Sequence, residues 1–287
     1  SIIVGAKKGF YYLNKGALKK ISPDGKDYVP LSKTAVRDIE VISENEIWYA
    51  TFGMGLFLHN PGTFTTLNVK DGLDVGGMTF DLVKHGDKLY IATKNGLFLY
   101  QNNKIKKHYT KNDGLPSNMI LDLDMDSSGN LWIATANGLS KLSGSVFKNY
   151  SRKDGLPSKL VTSVHVDDRD ESRIWMGSER SGLTKFDKKG FYTYAVQDGL
   201  PSNSIRDITQ SNDGTLIIAC YKAGVAKFDG KKFTLYDNGL DDKRVILLEN
   251  GFDGEIWAGT ESAGIGVLEQ DQFRMIRDSD GLSLIHI

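Results

Sequence analysis

The chain has 287 residues, with 36 basic residues balanced by 36 acidic ones and spread along its length, so it lacks the cationic stripe of a nucleic-acid or anionic-membrane binder. Its apolar runs break every few residues at a charge or a glycine, which leaves no stretch able to cross a bilayer or to form a signal-peptide core. The single cysteine, Cys220, excludes an internal disulfide and a cysteine-based zinc cluster.

The chain opens on a short β-rich segment, Ile2-Ile3-Val4-Gly5, followed by Gly9. The same phrase returns along the chain as Ile/Leu-Trp-Ile-Ala-Thr, a few variable residues, then Gly-Leu. Its glycines are Gly9, Gly55, Gly96, Gly138, Gly182, Gly224 and Gly264, at intervals of 46, 41, 42, 44, 42 and 40 residues. A second phrase keeps the same beat: Asp71-Gly72-Leu73, Asp113-Gly114-Leu115, Asp154-Gly155-Leu156, Asp198-Gly199-Leu200, Asn238-Gly239-Leu240 and Asp280-Gly281-Leu282. A fixed period of this length marks a repeat architecture.

Each repeat reads as four short strands, A to D. Strand A follows the Asp-Gly-Leu phrase, as in Ile120-Leu121-Asp122-Leu123; B carries the tryptophan, as in Leu131-Trp132-Ile133-Ala134. Strand C begins at the Gly-Leu, and D carries a Phe and often a Tyr, as in Phe147-Lys148-Asn149-Tyr150. No window has a helical period. Four strands repeated at this spacing form a propeller blade. The sequence therefore predicts an all-β fold, a single seven-bladed β-propeller over residues 1–287 with four-stranded antiparallel blades.

All four tryptophans, Trp48, Trp132, Trp175 and Trp257, fall on one position of strand B and are expected to wedge between blades. Two residues later the chain always holds Gly or Ala, where adjacent sheets should approach most closely. Cys220 stands where sibling repeats carry Thr or Ser and is expected to be a small buried side chain. Because the chain begins on a strand B and stops after the last Asp-Gly-Leu, a strand from Leu284 to Ile287 is expected to pair with the N-terminal strands and close the ring.

Asp-Gly-Leu-Pro-Ser-Asn, strand A, a turn ending in Gly, Leu-Trp-Ile-Ala-Thr and Gly-Leu together resemble the two-component regulator propeller repeat. The resemblance spans essentially the whole chain and is cleanest from Gly96 to Gly214; the first repeat (Ile2 to Asp38) and the sixth (Leu216 to Leu240) depart from it. It implies an extracytoplasmic sensor region of a hybrid histidine kinase, periplasmic or at the cell surface, that recognises an oligosaccharide. Similar repeats also occur in surface and secretion-associated proteins without a kinase. No kinase, receiver or DNA-binding segment is present in these residues.

Three constellations bear on chemistry. Asp122, Asp124 and Asp126 alternate like the start of a calcium loop, but the required Gly at position six and Glu at position twelve are Ser127 and Ile133. The five histidines are scattered over different repeats and strands, so neither a zinc site nor a Ser-His-Asp arrangement is expected. One position of strand A reads Asp38, Asp81, Asp122, Ser163, Asp207 and Leu247. Its carboxylates either line a central channel with water or a cation, or accept backbone hydrogen bonds from neighbouring strands.

The remaining candidate is a recognition surface. Loops from D to A and from B to C should share one face, with variation concentrated in the B–C loops. There Phe52, Met54, Asn95, Asn137, Glu179, Arg180, Tyr221, Lys222 and Glu261 offer aromatic and polar contacts that suit a glycan or a protein surface. The expectation is a binding module with no catalytic residues, metal or cofactor, whose partner is an oligosaccharide, another small ligand or an adjacent protein domain. A protein-docking scaffold is the alternative. A propeller lyase or hydrolase ranks last, because no variable loop carries a histidine.

Overall fold

The computed structural model describes residues 2–6, 9–14, 17–20, 36–43, 46–60, 63–74, 78–251 and 254–276. A first sheet holds β1 (Ile2–Ala6), β2 (Gly9–Asn14) and β3 (Ala17–Lys20). Blade I holds β4 (Val36–Ser43), β5 (Glu46–Thr51), β6 (Leu56–Asn60) and β7 (Thr63–Leu67). Blade II holds β8 (Thr79–His85), β9 (Lys88–Thr93), β10 (Gly96–Gln101) and β11 (Lys104–Tyr109). Blade III holds β12 (Ile120–Met125), β13 (Leu131–Thr135), β14 (Gly138–Ser143) and β15 (Val146–Tyr150). Blade IV holds β16 (Val161–Val166), β17 (Ile174–Ser178), β18 (Leu183–Asp187) and β19 (Gly190–Tyr194). Blade V holds β20 (Ile205–Gln210), β21 (Leu216–Cys220), β22 (Gly224–Phe228) and β23 (Phe233–Tyr236). Blade VI holds β24 (Val245–Asn250), β25 (Ile256–Thr260), β26 (Ile265–Glu269) and β27 (Gln272–Ile276). Two compact units contain these sheets, one over residues 1–121 and one over 122–277.

The all-β propeller construction stands, but the blade count is corrected: among the described residues there are six four-stranded blades, not seven. Among the described residues the first repeat supplies three strands, β1 to β3. The expected closing segment, Leu284 to Ile287, lies outside the described residues, as do Asp280-Gly281-Leu282.

Strand B is the buried centre of each blade; every residue of β13, β17, β21 and β25 is buried. All four of its tryptophans are buried, with Trp48, Trp132, Trp175 and Trp257 only 2, 4, 4 and 7% exposed, and the first three are inter-blade wedges, as expected from the sequence. Trp48 meets Tyr100 of the next blade at 5.0 Å between ring centroids. Trp132 meets Phe186 at 6.2 Å and Trp175 meets Phe228 at 5.9 Å in the same way. Aromatic partners beside buried area make these contacts worth more than their surface alone.

The small residue that follows is required by close approach. A Cβ added to Gly177 would lie 2.4 Å from the Ser163 Oγ and 2.7 Å from the Ile205 Cγ2 at the start of the next blade. Ala50, Ala92, Ala134 and Ala219 are fully buried at the same place.

The Asp-Gly-Leu phrase hides short 3-10 turns that the sequence reading passed over as loops. Before blade III, Thr110 caps the turn Lys111–Asp113, its hydroxyl accepting from the Asn112 N–H while Asp113 accepts from the Thr110 N–H and hydroxyl. Gly114 then takes the left-handed conformation at φ 110°, and Leu115 drops into the core. Such a reciprocal capping box satisfies the turn's free donors locally. Turns at Val69–Asp71 and Arg152–Asp154 follow the same plan, whereas at Val196–Asp198 the cap residue is Ala195 and only the return bond from its N–H to Asp198 remains.

Candidate functional site

The residues on strand A are set by a bulge. In blades I, II, IV, V and VI the A–B register slips just inside the strand, between Val36 and Asp38, Thr79 and Asp81, Val161 and Ser163, Ile205 and Ile208, and Val245 and Leu247. An extra residue leaves the ladder and its side chain is re-aimed. In blades I and V the carboxylate that follows, Asp38 or Asp207, turns toward the neighbouring blade.

Of the two readings of that carboxylate, the backbone-bridging one describes Asp38, Asp122 and Asp207. The Asp38 Oδ2 accepts from the Leu82 N–H at 2.8 Å, Asp122 from the Val164 N–H at 2.7 Å, and Asp207 from the Leu248 N–H at 2.7 Å. A second rung repeats the link, from Lys84 N–H to Glu40 and from Val166 N–H to Asp124. Asp81 shares a side-chain hydrogen bond with Asp38.

Asp38 and Asp207 keep a narrow contact with solvent, yet dense packing around both charges dominates their titration. Burial, aided by Glu40, raises the Asp38 pKa to about 7 against the backbone bonds that favour its charge. Burial likewise raises Asp207 to about 6. Among the described residues no three His, Cys, Asp or Glu side chains gather into a metal-holding group.

The two loop classes share a face, joined by backbone bonds such as Gly138 N–H to Lys159 O, Gly182 N–H to Asn203 O and Glu261 N–H to Arg244 O. Phe52 and Met54 are 45 and 38% exposed, and the Arg37 guanidinium stands 5.9 Å from the Phe52 ring centre. Asn95 and Asn137 are anchored through their backbone, each N–H donating at 3.0 Å to the Thr93 or Thr135 hydroxyl. Those hydroxyls in turn donate to the Gly96 and Gly138 carbonyls. Glu179 and Arg180 are exposed. Cys220 replaces the latching hydroxyl in blade V; it is buried, and burial pushes its thiol up to about 12.

Three of the sequence candidates come together on blades V and VI. The Tyr221 hydroxyl donates to the Glu261 Oε2 at 3.0 Å, and the Lys222 ammonium lies 5.7 Å from the Tyr221 ring centre. Burial and the neighbouring Glu261 raise the Tyr221 pKa, so the hydroxyl remains a donor.

Four residues the sequence reading did not select complete the cluster. Arg244 pairs with Glu261 at 2.9 Å and grips Asp242 through Nε and Nη2 at 2.9 and 2.8 Å. Ser262 donates its N–H and hydroxyl to the Asp242 Oδ2 at 3.1 and 2.8 Å. Arg206, the bulge residue of β20, places its guanidinium 4.5 Å from the Tyr221 ring centre. The signal for Asp242 and Arg244 was the loop Gly239-Leu240-Asp241-Asp242-Lys243-Arg244, which abandons Pro-Ser-Asn after Gly-Leu. Arg206 had a weaker one: Arg37 and Arg206 occupy the same repeat position, and Phe52 and Tyr221 share another.

Comparison with known proteins agrees with this construction. The family model described as two component regulator propeller matches residues 114–137. No curated protein matches the chain. Among solved structures, the extracellular domain of the putative hybrid two component system BT4673 from B. thetaiotaomicron aligns with a TM-score of 0.75 and 18% identity. The alignment covers 92% of this chain and 36% of that one, so this chain spans about a third of its length.

Virginiamycin B lyase from Staphylococcus aureus aligns with a TM-score of 0.70 and 15% identity over 84% of each chain. PorZ, a surface component of the type-IX secretion system of Porphyromonas gingivalis, aligns at 0.69 and 14%, over 94% of this chain and 45% of its own. At these identities the likeness is one of fold. No helix among the described residues is long and apolar enough to cross a membrane. Residues 114–137, which run from Gly114 through strand A to just past the tryptophan strand of blade III, are where this chain is similar to the two component regulator propeller family.

Proposed function

We propose that this chain is an extracytoplasmic binding module, the sensor region of a two-component regulator, which reads an oligosaccharide through the face formed by the D–A and B–C loops. The observation that carries the reading is the cluster on blades V and VI, where Tyr221, Lys222 and Glu261 join Arg206, Asp242, Arg244 and Ser262. A hydrogen-bonded aromatic with fixed polar groups around it presents both the donors and the acceptors that sugar hydroxyls need, and prior pairing keeps the cost of ordering it on binding low. The repeat match and the likeness to an extracellular domain of a two-component system support the same role.

Two other readings are less well supported. A scaffold role draws on the likeness to PorZ. A lyase role draws on the likeness to virginiamycin B lyase, of which a variant with one histidine changed to alanine is described as catalytically inactive. Here no histidine stands within a B–C loop; the His108 ring on β11 reaches one, its Nε2 lying 2.8 Å from the Asn95 carbonyl oxygen.

Differential scanning fluorimetry across neutral and acidic oligosaccharides tests the reading, with Tyr221→Ala and Arg244→Ala as controls. A saccharide that raises the melting temperature of the wild type and fails to raise that of the variants is the expected result. Absence of stabilisation by any saccharide, together with capture of a protein partner that survives both substitutions, would replace the sensor by the scaffold.

A further inference from the structure

The cluster on blades V and VI contains two guanidinium groups in opposite states. Arg244 is fully engaged, with Asp242 and Glu261 as counter-charges and the Ser262 hydroxyl as a further partner. Arg206 has none of these: among the described residues it makes no ion pair and no hydrogen bond, and its Nε is buried without a partner. Its neighbour is the Tyr221 ring, whose face attracts a cation but accepts none of the five N–H donors of the fork.

A half-buried guanidinium with a bare Nε is a costly arrangement unless an acceptor arrives. The backbone holds it there deliberately. The register slip from Ile205 to Ile208 throws Arg206 out of the β20–β21 ladder. Lys222, beside it on the same ring, sits in the left-handed region at φ 65°, an uncommon backbone state for a side chain of this kind. Two cations thus flank Tyr221, and no carboxylate of the described residues pairs with either.

We propose that Arg206 and Lys222 form the seat for a carboxylate on the ligand, and that the ligand is a uronic-acid-bearing oligosaccharide. The planar fork of Arg206 matches a carboxylate with two parallel hydrogen bonds, and Lys222 supplies a second, mobile charge. The Tyr221–Glu261–Arg244–Asp242–Ser262 network surrounds the seat with fixed donors and acceptors for ring hydroxyls. This inference rests on the saccharide-binding reading above and specifies its chemical class.

Isothermal titration calorimetry with oligogalacturonate, oligoglucuronate and oligomannuronate, each beside its methyl ester, tests it. Esterification keeps the ring and hydroxyls but removes the charge. The expected result is binding of at least one uronate, weakened roughly tenfold or more both by esterification and by Arg206→Gln. Arg206→Lys, which keeps the charge without the fork, should fall between wild type and Arg206→Gln, and affinity should drop with added salt. Should Arg206→Gln fail to fold, Arg206→Lys and Lys222→Ala carry the comparison.

Equal binding of acid and ester, or binding of neutral saccharides only, overturns the carboxylate seat and leaves the sensor reading standing. Preference for a sulfated oligosaccharide, or for a glutamate-rich peptide, also overturns it. Failure of every saccharide, charged or neutral, to bind removes both.

Discussion

The loops that enter blade IV and blade VI hold the same place in their repeats but are stabilised in opposite ways. Before blade IV the Asp154 carboxylate accepts from the Ser151 N–H at 2.8 Å and its hydroxyl at 2.9 Å, and Gly155 turns the chain at φ 98° so that Leu156 is buried. These bonds stay within the loop itself. Before blade VI the segment is two residues shorter, from Tyr236 to Gly239 against Tyr150 to Gly155, and the capped turn is gone.

Asp242 there takes the position that Ser202 holds before blade V. Both accept from the N–H two residues on, Ser202 from Ser204 at 3.1 Å and Asp242 from Arg244 at 2.9 Å. A carboxylate has a second oxygen, however, and Asp242 uses it for Arg244 and Ser262. One residue thus keeps the turn and builds the surface network. Loops that follow the repeat bond to themselves, and the loop that departs from it turns Asp242 outward to Arg244 and Ser262.

The largest test of that contrast is Leu156→Ala, which empties a buried site and should cost about 2–5 kcal/mol by urea denaturation. Leu240→Ala, at a position 8% exposed, should fall at the lower end of that range. Equal losses would erase the difference between the loops. Next, Ser151→Ala should cost about 1 kcal/mol through its lost cap. Asp237→Ala, which breaks only an exposed pair with Lys243, should cost about 0–1 kcal/mol.

Asp242→Ser sharpens the comparison from the other side. The hydroxyl can still accept from the Arg244 N–H, so the melting temperature should hold while saccharide-induced stabilisation is lost. A variant that melts early instead would make Asp242 a structural residue like its counterparts.

Carboxylates in the two settings also respond to pH with opposite signs. Bonds from the Ser151 backbone and hydroxyl hold Asp154 below the usual carboxylate range, so its contribution is present at neutral pH and is lost as pH falls through its folded pKa. Burial raises Asp38 from an ordinary 3.8 to about 7, so its contribution is present below about 3.8 and disappears as pH climbs toward about 7. Stability measured over that window should therefore decline more steeply in the wild type than in Asp38→Asn. Identical slopes would mean that Asp38 ionises normally in the fold. The smallest effect belongs to Cys220, whose buried thiol, raised to about 12, should resist Ellman's reagent at pH 8 until the chain is unfolded.

Much of the fold was legible because it is written in period and pattern. The Trp-x-Ala-Thr phrase predicts strand B, its wedge and its small-residue contact, since only a bulky ring followed by a minimal side chain fits between sheets that approach as closely as Gly177 and Ile205. The candidate site was half legible. Tyr221, Lys222 and Glu261 stand in the most variable loops, whereas Arg206 is hidden in a strand that the alternation rule treats as regular. A bulge leaves no mark in composition.

The sequence by itself determined the repeat unit, the order of strands within it and the loops that cap themselves, because each depends on contacts within one repeat of about 42 residues. Tertiary structure alone decided the number of complete four-stranded blades, the use of strand A carboxylates as bridges, and the gathering of Arg206, Tyr221, Arg244 and Glu261. Those depend on which repeat faces which. Residues about 40 positions apart in the chain become neighbours only when one sheet packs against the next.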